Sequence, residues 1–311
     1  MPEKKTSILL GYECNQNCKF CYCRHKRDND YGSLGTEAVK QKLDEGRERG
    51  STFVDFLGGE PTIRNDIIEL VKYADDVGYE TISLTTNGKI MSYEQFAEKI
   101  IDVGLNHMIF SLHGHKAELH DYLVQFEGAF EKLKQGVQNA VEYGGDDFYI
   151  CINTVILQQN LDTLHRIPET ANGFVDQQID AIEFIFPHPK GNAWNNFEEM
   201  VPKLENVADP IDKAIKHAEM EDFDHIVGRY IPYCYMLGNE KYVSETVAKE
   251  QGLQEEHVGP EFQNLNVEKG REEVGKVKGE QCKACKYYNK CEGIWKEYAQ
   301  KRGTEELTPV P

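Results

Sequence analysis

Strand-like and helix-like patterns alternate through roughly the first 190 residues of this 311-residue chain, and that alternation limits the possible folds more than any other feature. Apolar runs at Ser7–Tyr12, Thr52–Leu57, Thr81–Thr86, His107–Leu112, Phe148–Leu157 and Ala181–Phe186 read as strands. The segments between them repeat apolar residues at helical spacing: Val39 and Leu43; Ile67, Ile68, Val71 and Ala74; Phe96, Ile100 and Val103; Phe130, Leu133, Val137 and Val141; then Leu161–Thr170. Thr36 and Asn65 are expected to cap two of these helices, Ser92 with Gln95 forms a candidate capping box, and Gly78 and Gly104 close helix ends. Six β-then-α units predict a parallel sheet with right-handed crossovers. Six fall short of the eight that close a barrel, so the expected solution is an α/β fold built as a curved, open barrel. Its sites belong at the C-terminal ends of the strands.

The pattern changes after Pro189-Lys190-Gly191-Asn192, which sets an expected division into residues 1–192 and 193–311. Beyond it, Glu198–Glu219 reads as helix interrupted by Pro202 and Pro210. Residues 249–279 are highly charged and read as loop and solvated helix, and the tail Gln281–Trp295 is rich in cysteine.

The end of the first strand carries Cys14, Cys18 and Cys21 in the spacing C-x3-C-x2-C. Three thiols on one short loop can hold three corners of a [4Fe-4S] cubane and leave the fourth iron open to a substrate or cofactor, whereas four-iron electron carriers use four cysteines. Zinc usually takes four ligands, often as paired C-x2-C units, and fits this spacing poorly. Gly58-Gly59-Glu60-Pro61 closes the second strand. Glycine there lets a ligand approach the backbone, Glu60 can receive an ammonium group, and Pro61 stiffens the exit.

With both elements present, the chain resembles the radical SAM (S-adenosylmethionine) enzymes. Cys14, Cys18 and Cys21, with Phe20 before the last, stand as the family's triad, and Gly58-Gly59-Glu60-Pro61 as its GGEP element. The likeness covers residues 7 to about 190. It implies a partial (β/α)6, TIM-like barrel, SAM chelating the open iron through its amino and carboxylate groups, and the methionine amine held by the GGEP backbone and Glu60. It also implies reductive cleavage of SAM to a 5′-deoxyadenosyl radical that abstracts hydrogen from an unactivated carbon. Asn87, Ser111 and Asn153, all at strand ends, are candidate cofactor contacts by this likeness. Each also has a structural reading, Asn87 as a turn former and Ser111 as a satisfied strand hydroxyl. His113 and His115 read as solvated loop histidines.

Cys282, Cys285 and Cys291, with Cys234 before them, make four thiols, enough for a second cluster. They resemble the SPASM/Twitch extension, which implies an auxiliary [4Fe-4S] cluster in a small C-terminal domain. Structural zinc is the alternative. Cys23 and Cys151 remain and read as structural, Cys151 as a small buried hydrophobe.

Composition limits the partners. Lys and Arg total 35 against 53 for Asp and Glu, a formal charge of −18. That field repels phosphate backbones, so a nucleic-acid substrate is not expected. The polar start Met1–Lys5 carries no targeting signal, no run reaches the ~20 apolar residues of a membrane helix, and nine cysteines suit metal work in a reducing compartment. A cytoplasmic enzyme is the expectation, served by a low-potential electron donor of flavodoxin or ferredoxin type. So few residues precede the first strand that no N-terminal peptide-recognition domain is expected, and the substrate is a peptide, a protein or a small molecule. The readings outside catalysis are a two-cluster electron carrier or redox sensor, or a zinc-stabilised binding protein.

Overall fold

A computed structural model describes residues 4–176 and 178–311; the expected polar start at Met1–Glu3 falls outside them. The strands are β1 (Lys4–Leu9), β2 (Phe53–Leu57), β3 (Thr81–Thr86), β4 (His107–Ser111), β5 (Tyr149–Val155), β6 (Ala181–Ile185), β7 (His225–Arg229), β8 (Gln254–Gly259) and β9 (Phe262–Asn264). They form one sheet in the order β7-β6-β5-β4-β3-β2-β1-β8-β9. Every pairing is parallel except β8 with β9. The six expected strands are present, and the sheet is an open, partial barrel.

Two flanking strands were not foreseen: β7 lies in a stretch with no expected element, and β8 where loop and solvated helix were expected. In β7 a charged start and Arg229 hide the apolar pair Ile226 and Val227. In β8 the run Gln-Glu-Glu-His looks like solvated loop, yet it inserts beside β1. Glu256 is fully buried there, accepting from Thr6 Oγ1 at 2.7 Å and from the Arg49 guanidinium at 2.7–2.8 Å. Paired burial of this kind leaves no apolar signature. The chain beyond residue 193 therefore sends strands to both flanks of the sheet before building its own small antiparallel pair, β10 (Lys276–Val277) with β11 (Ile294–Trp295).

The two faces of the sheet differ sharply. Outward positions such as Ile8, Phe56, Leu84, Phe110, Ile152 and Phe184 are buried under the crossover helices. The inward face carries a polar row, Ser7, Asp55, Ser83, His107 and Tyr149 in register across five strands, next to a small apolar cluster of Ile109, Cys151 and Ala181. Ion pairs tie this inner face together: Lys5–Asp55 at 3.2 Å and Arg229–Glu183 at 2.5 Å.

Three local expectations are corrected. Ser92 donates to the Lys89 carbonyl at 2.8 Å, so the capping box does not form, and the helix Glu94–Asp102 starts after Tyr93. Asp66, not Asn65, precedes the helix Ile67–Asp76, and its carboxylate holds Arg64 and Thr36. Pro210 sits in the first turn of the helix Ala208–Met220, where a missing N–H costs no helical bond. Among the described residues no helix is long and apolar enough to cross a membrane.

Candidate functional site

The cysteine loop leaves β1 at the C-terminal edge of the sheet and is fastened by its own backbone. Asn17 and Lys19 donate N–H bonds to the Val124 and Leu123 carbonyls at 3.2 and 2.9 Å. Asn192 and Asn196 return amide bonds to the Cys18 and Lys19 carbonyls, each 2.8 Å. Arg27 donates to the carbonyls of Cys14 and Gln16 at 3.1 and 3.2 Å. Phe20 anchors the turn, packing edge-on against the buried His113 ring at 4.8 Å. That histidine is a structural prop, its Nδ1 accepting from the Val155 N–H at 3.2 Å. Cys14, Cys18 and Cys21 are partly buried. Burial pushes all three thiols up, Cys14 to about 11. As thiolates they need a compensating cation, which a metal centre provides.

Gly58-Gly59-Glu60-Pro61 serves that loop directly. The N–H groups of Gly59 and Glu60 donate to the carbonyls of Gly11 and Glu13 at 2.9 and 2.8 Å. Gly58 has φ +139°, and a Cβ on Gly59 would stand 2.0 Å from the Glu13 oxygen. The close approach foreseen for a ligand is thus made by the cysteine loop itself. Glu60 is buried, and its Oε1 accepts from Thr62 Oγ1 at 2.6 Å and Thr86 Oγ1 at 2.7 Å. Its Oε2 accepts from the Asn87 N–H at 2.8 Å and retains a lone pair. Burial pushes this carboxyl above its ordinary range. Pro61 opens a short 3-10 turn over Pro61–Ile63.

Asn87 is buried at the end of β3, its amide 2.8 Å from Asn15 Oδ1 and 4.0 Å from Cys14 Sγ. Ser111 and Asn153 face one another in register on β4 and β5. Asn153 Oδ1 is buried without a partner among the described residues, an unmet acceptor on the inner face.

In the tail, Cys234, Cys282, Cys285 and Cys291 line one pocket with Tyr233 and Tyr287, about 340 Å³ of empty space including its open mouth. The Val310 N–H points at Cys285 Sγ and the Gly293 N–H at Cys291 Sγ, both 3.3 Å. Among the described residues, no three His, Cys, Asp or Glu side chains converge closely enough to hold one ion. Burial pushes Cys234 up to about 11. Glu292, beside Cys291, is locked by Arg271 at 2.9–3.0 Å and Lys276 at 3.0 Å. Cys23 and Cys151 are both buried, Cys23 in a small cluster with Leu9 and Tyr12 against which Cys21 packs, and Cys151 with Ile109 and Ala181.

The sequence did not reveal the side chains between the two thiol groups. His188 stacks on Trp295, centroids 3.9 Å apart and planes 7° apart, and on its other side meets Tyr22, which follows Cys21, at 6.1 Å. Tyr230 packs edge-on against Trp295 at 4.8 Å. Only the aromatic flanks of the cysteines hinted at this stack.

Comparison with known proteins agrees with this geometry. Residues 8–171 match the family described as the Radical SAM superfamily. A probable GTP 3′,8-cyclase of Sulfurisphaera tokodaii is 30% identical over 216 residues, 68% of this chain and 66% of that protein. The PqqA peptide cyclase of Bradyrhizobium diazoefficiens is 31% identical over 197 residues, 63% of this chain and 50% of that protein. The chain spans between half and about two thirds of the length of these relatives. Among solved structures, Streptococcus suis SuiB bound to its precursor peptide SuiA superimposes with a TM-score of 0.68 at 14% identity, over 98% of this chain and 74% of that one. AnSMEcpe with bound AdoMet and a peptide gives 0.60 at 16% identity, over 98% and 97%. At such identities the likeness is one of fold.

Proposed function

The chain belongs to the radical SAM superfamily, and on that premise we propose that it is an enzyme that cleaves SAM reductively and abstracts hydrogen from a peptide, protein or small-molecule substrate. The observation that carries this reading is the three-thiol loop fastened to the Gly58–Pro61 corner at the C-terminal edge of the sheet. When bound, the cluster and SAM supply a 5′-deoxyadenosyl radical. Cys14, Cys18 and Cys21 are the proposed ligands of that cluster. The donor set fits: three thiols on one loop, with Asn87 beside Cys14.

The Gly59 and Glu60 N–H groups hold the cysteine loop in register. Glu60 braces the ends of β2 and β3, and its spare lone pair is available to an ammonium group. Asn153 Oδ1 offers an acceptor to a hydroxyl, and Ser111 opposite it a second polar contact. The chain's task is to hold the substrate carbon next to the cofactor and keep water out; no general base is required for the abstraction.

We read Cys234, Cys282, Cys285 and Cys291 as ligands of an auxiliary [4Fe-4S] cluster in a C-terminal unit from residue 193. Four thiols around one pocket, two of them receiving backbone N–H groups, support a group larger than a single zinc ion. A low-potential flavodoxin- or ferredoxin-like donor in a reducing cytoplasm completes the scheme. The relatives' names include a peptide cyclase and a nucleotide cyclase, which keeps both substrate classes open.

The test is anaerobic incubation of the reduced, reconstituted protein with SAM. The expected product is 5′-deoxyadenosine, read by mass spectrometry. Its absence with both clusters intact would remove the enzymatic reading and leave an electron carrier or sensor.

A further inference from the structure

Lys5 and Arg229 on the inner face of the sheet, and Arg271 and Lys276 beside the cysteine-rich tail, lie against carboxylates, and all but Arg229 are largely covered. Lys5, its side chain 11% exposed, sits between Asp55 and Glu255 at 3.2 and 4.0 Å. Arg271, 19% exposed, grips Glu292 with two nitrogens. Lys276, with no exposure, lies 3.0 Å from Glu292 and 3.7 Å from Glu245, an ion pair without a well-aligned hydrogen bond. Arg229 differs. It gives Nε and Nη2 to Glu183 at 2.8 and 2.5 Å, yet a third of its side chain stays open. The remaining N–H groups of its planar fork are uncommitted.

The next residue is held at a cost. Tyr230 is a non-glycine residue at φ +64°, a left-handed conformation that persists only where the surroundings enforce it. Its ring is fixed by Trp295 at 4.8 Å and Lys276 at 4.9 Å. Beside it, the indole N–H of Trp295 is buried without a partner among the described residues. The open edge of the guanidinium and the indole N–H are thus donors without partners among the described residues, with the phenol beside them. A neutral donor–acceptor ligand would leave such a group half satisfied, whereas an oxyanion accepts from each. Asn153 Oδ1, one of the unpartnered polar atoms of the inner face with Ser83 Oγ and His107 Nε2, stands in register with Glu183 and is left to the cofactor in the reading above.

We propose that Arg229, with Tyr230 and Trp295 beside it, anchors an oxyanion of the substrate, foremost a carboxylate, between the two cysteine groups. Glu183 is the positioning residue that fixes the fork. The proposal rests on the radical SAM reading, to which it adds a substrate class: a molecule bearing a carboxylate, or a phosphate, at a fixed offset from the carbon that loses hydrogen.

The protein has two tryptophans, so Trp194→Phe leaves Trp295 as the sole indole reporter. In that background the reconstituted protein is titrated with N-acetyl-glutamate methylamide, with its glutamine counterpart and with inorganic phosphate. The glutamate probe is expected to shift Trp295 emission saturably and the glutamine probe to bind at least about tenfold more weakly. Arg229→Lys should weaken the glutamate probe by about tenfold, since lysine cannot present a fork. Arg229→Gln strands a carboxylate, so Glu183→Gln with Arg229→Gln, which removes both charges, guards against simple unfolding; it should abolish the response. A stronger response to phosphate keeps the anchor and assigns the ligand to a phosphate source. Equal binding of the two amino-acid probes, an unchanged response in the double variant, or no response to either anion overturns the anchor. Formation of 5′-deoxyadenosine by the wild-type protein, measured in parallel, decides the enzymatic reading separately.

Discussion

Glu60 Oε2 accepts the backbone N–H of Asn87 at 2.8 Å, so one buried carboxylate joins the exits of two neighbouring strands beneath the cysteine loop. Glu60→Ala would leave Thr62, Thr86 and the Asn87 N–H without their acceptor. The expected cost is about 2–3 kcal/mol in urea unfolding, with faster loss of iron on dilution. Unchanged stability and iron retention would count against this bracing role.

The two thiol groups should be separable by metal analysis. The full protein is expected to hold about eight irons, two four-iron clusters. Cys18→Ala and Cys285→Ala should each remove about half, and only the Cys285 variant should keep an electron paramagnetic resonance signal that changes when SAM is added. Zinc in place of the missing half would assign the tail to a structural ion.

Glu256 is a fully buried anion whose partners, Arg49 and Thr6, belong to the other end of the chain. Glu256→Ala leaves Arg49 without its partner and loosens β8 from β1. About 3–5 kcal/mol of stability should be lost, read as a lower urea midpoint. Hydrogen exchange should rise first at the β1–β8 pairing, and uniform exchange would contradict this account.

Burial lowers His107 to about 4, and His120 likewise. Each is released to about 6.5 on unfolding, so between about pH 4 and 6.5 the unfolded chain binds more protons. Stability therefore rises with pH across that window, by up to ~1.4 kcal/mol per unit for each histidine, and this contribution is complete above it. His107 lies against Phe53 and Tyr149, so His107→Phe should keep the packing and flatten the slope by one histidine's share. An identical slope would place the titration elsewhere.

The chain's apolar alternation made six strands legible, because strands covered on one face by helices repeat Ile, Val, Leu and Phe. It concealed β7 and β8, whose inward positions carry Arg229, Glu255 and His257 and whose burial is ionic. The thiol spacing was legible because it is local. The use of Gly59 was not, since only the folded backbone brings Glu13 against it. Nor was the Arg229–Glu183 pair, which comes from two strands 46 residues apart. The His188–Trp295 stack depends on where the tail returns, and no periodicity encodes that.

The position of β8 has a consequence for biosynthesis. The strand that leads into the cysteine loop is flanked on one side by β2 and on the other by residues about 250 positions later. A nascent chain emerging from the ribosome can pair β1 with β2 early, but the second neighbour is available only once residues 254–259 have been made. Such distant pairing is slow to nucleate. Until it forms, one edge of β1, the strand that leads into the cysteine loop, stays unpaired, and an unpaired strand edge is a template for pairing with other chains.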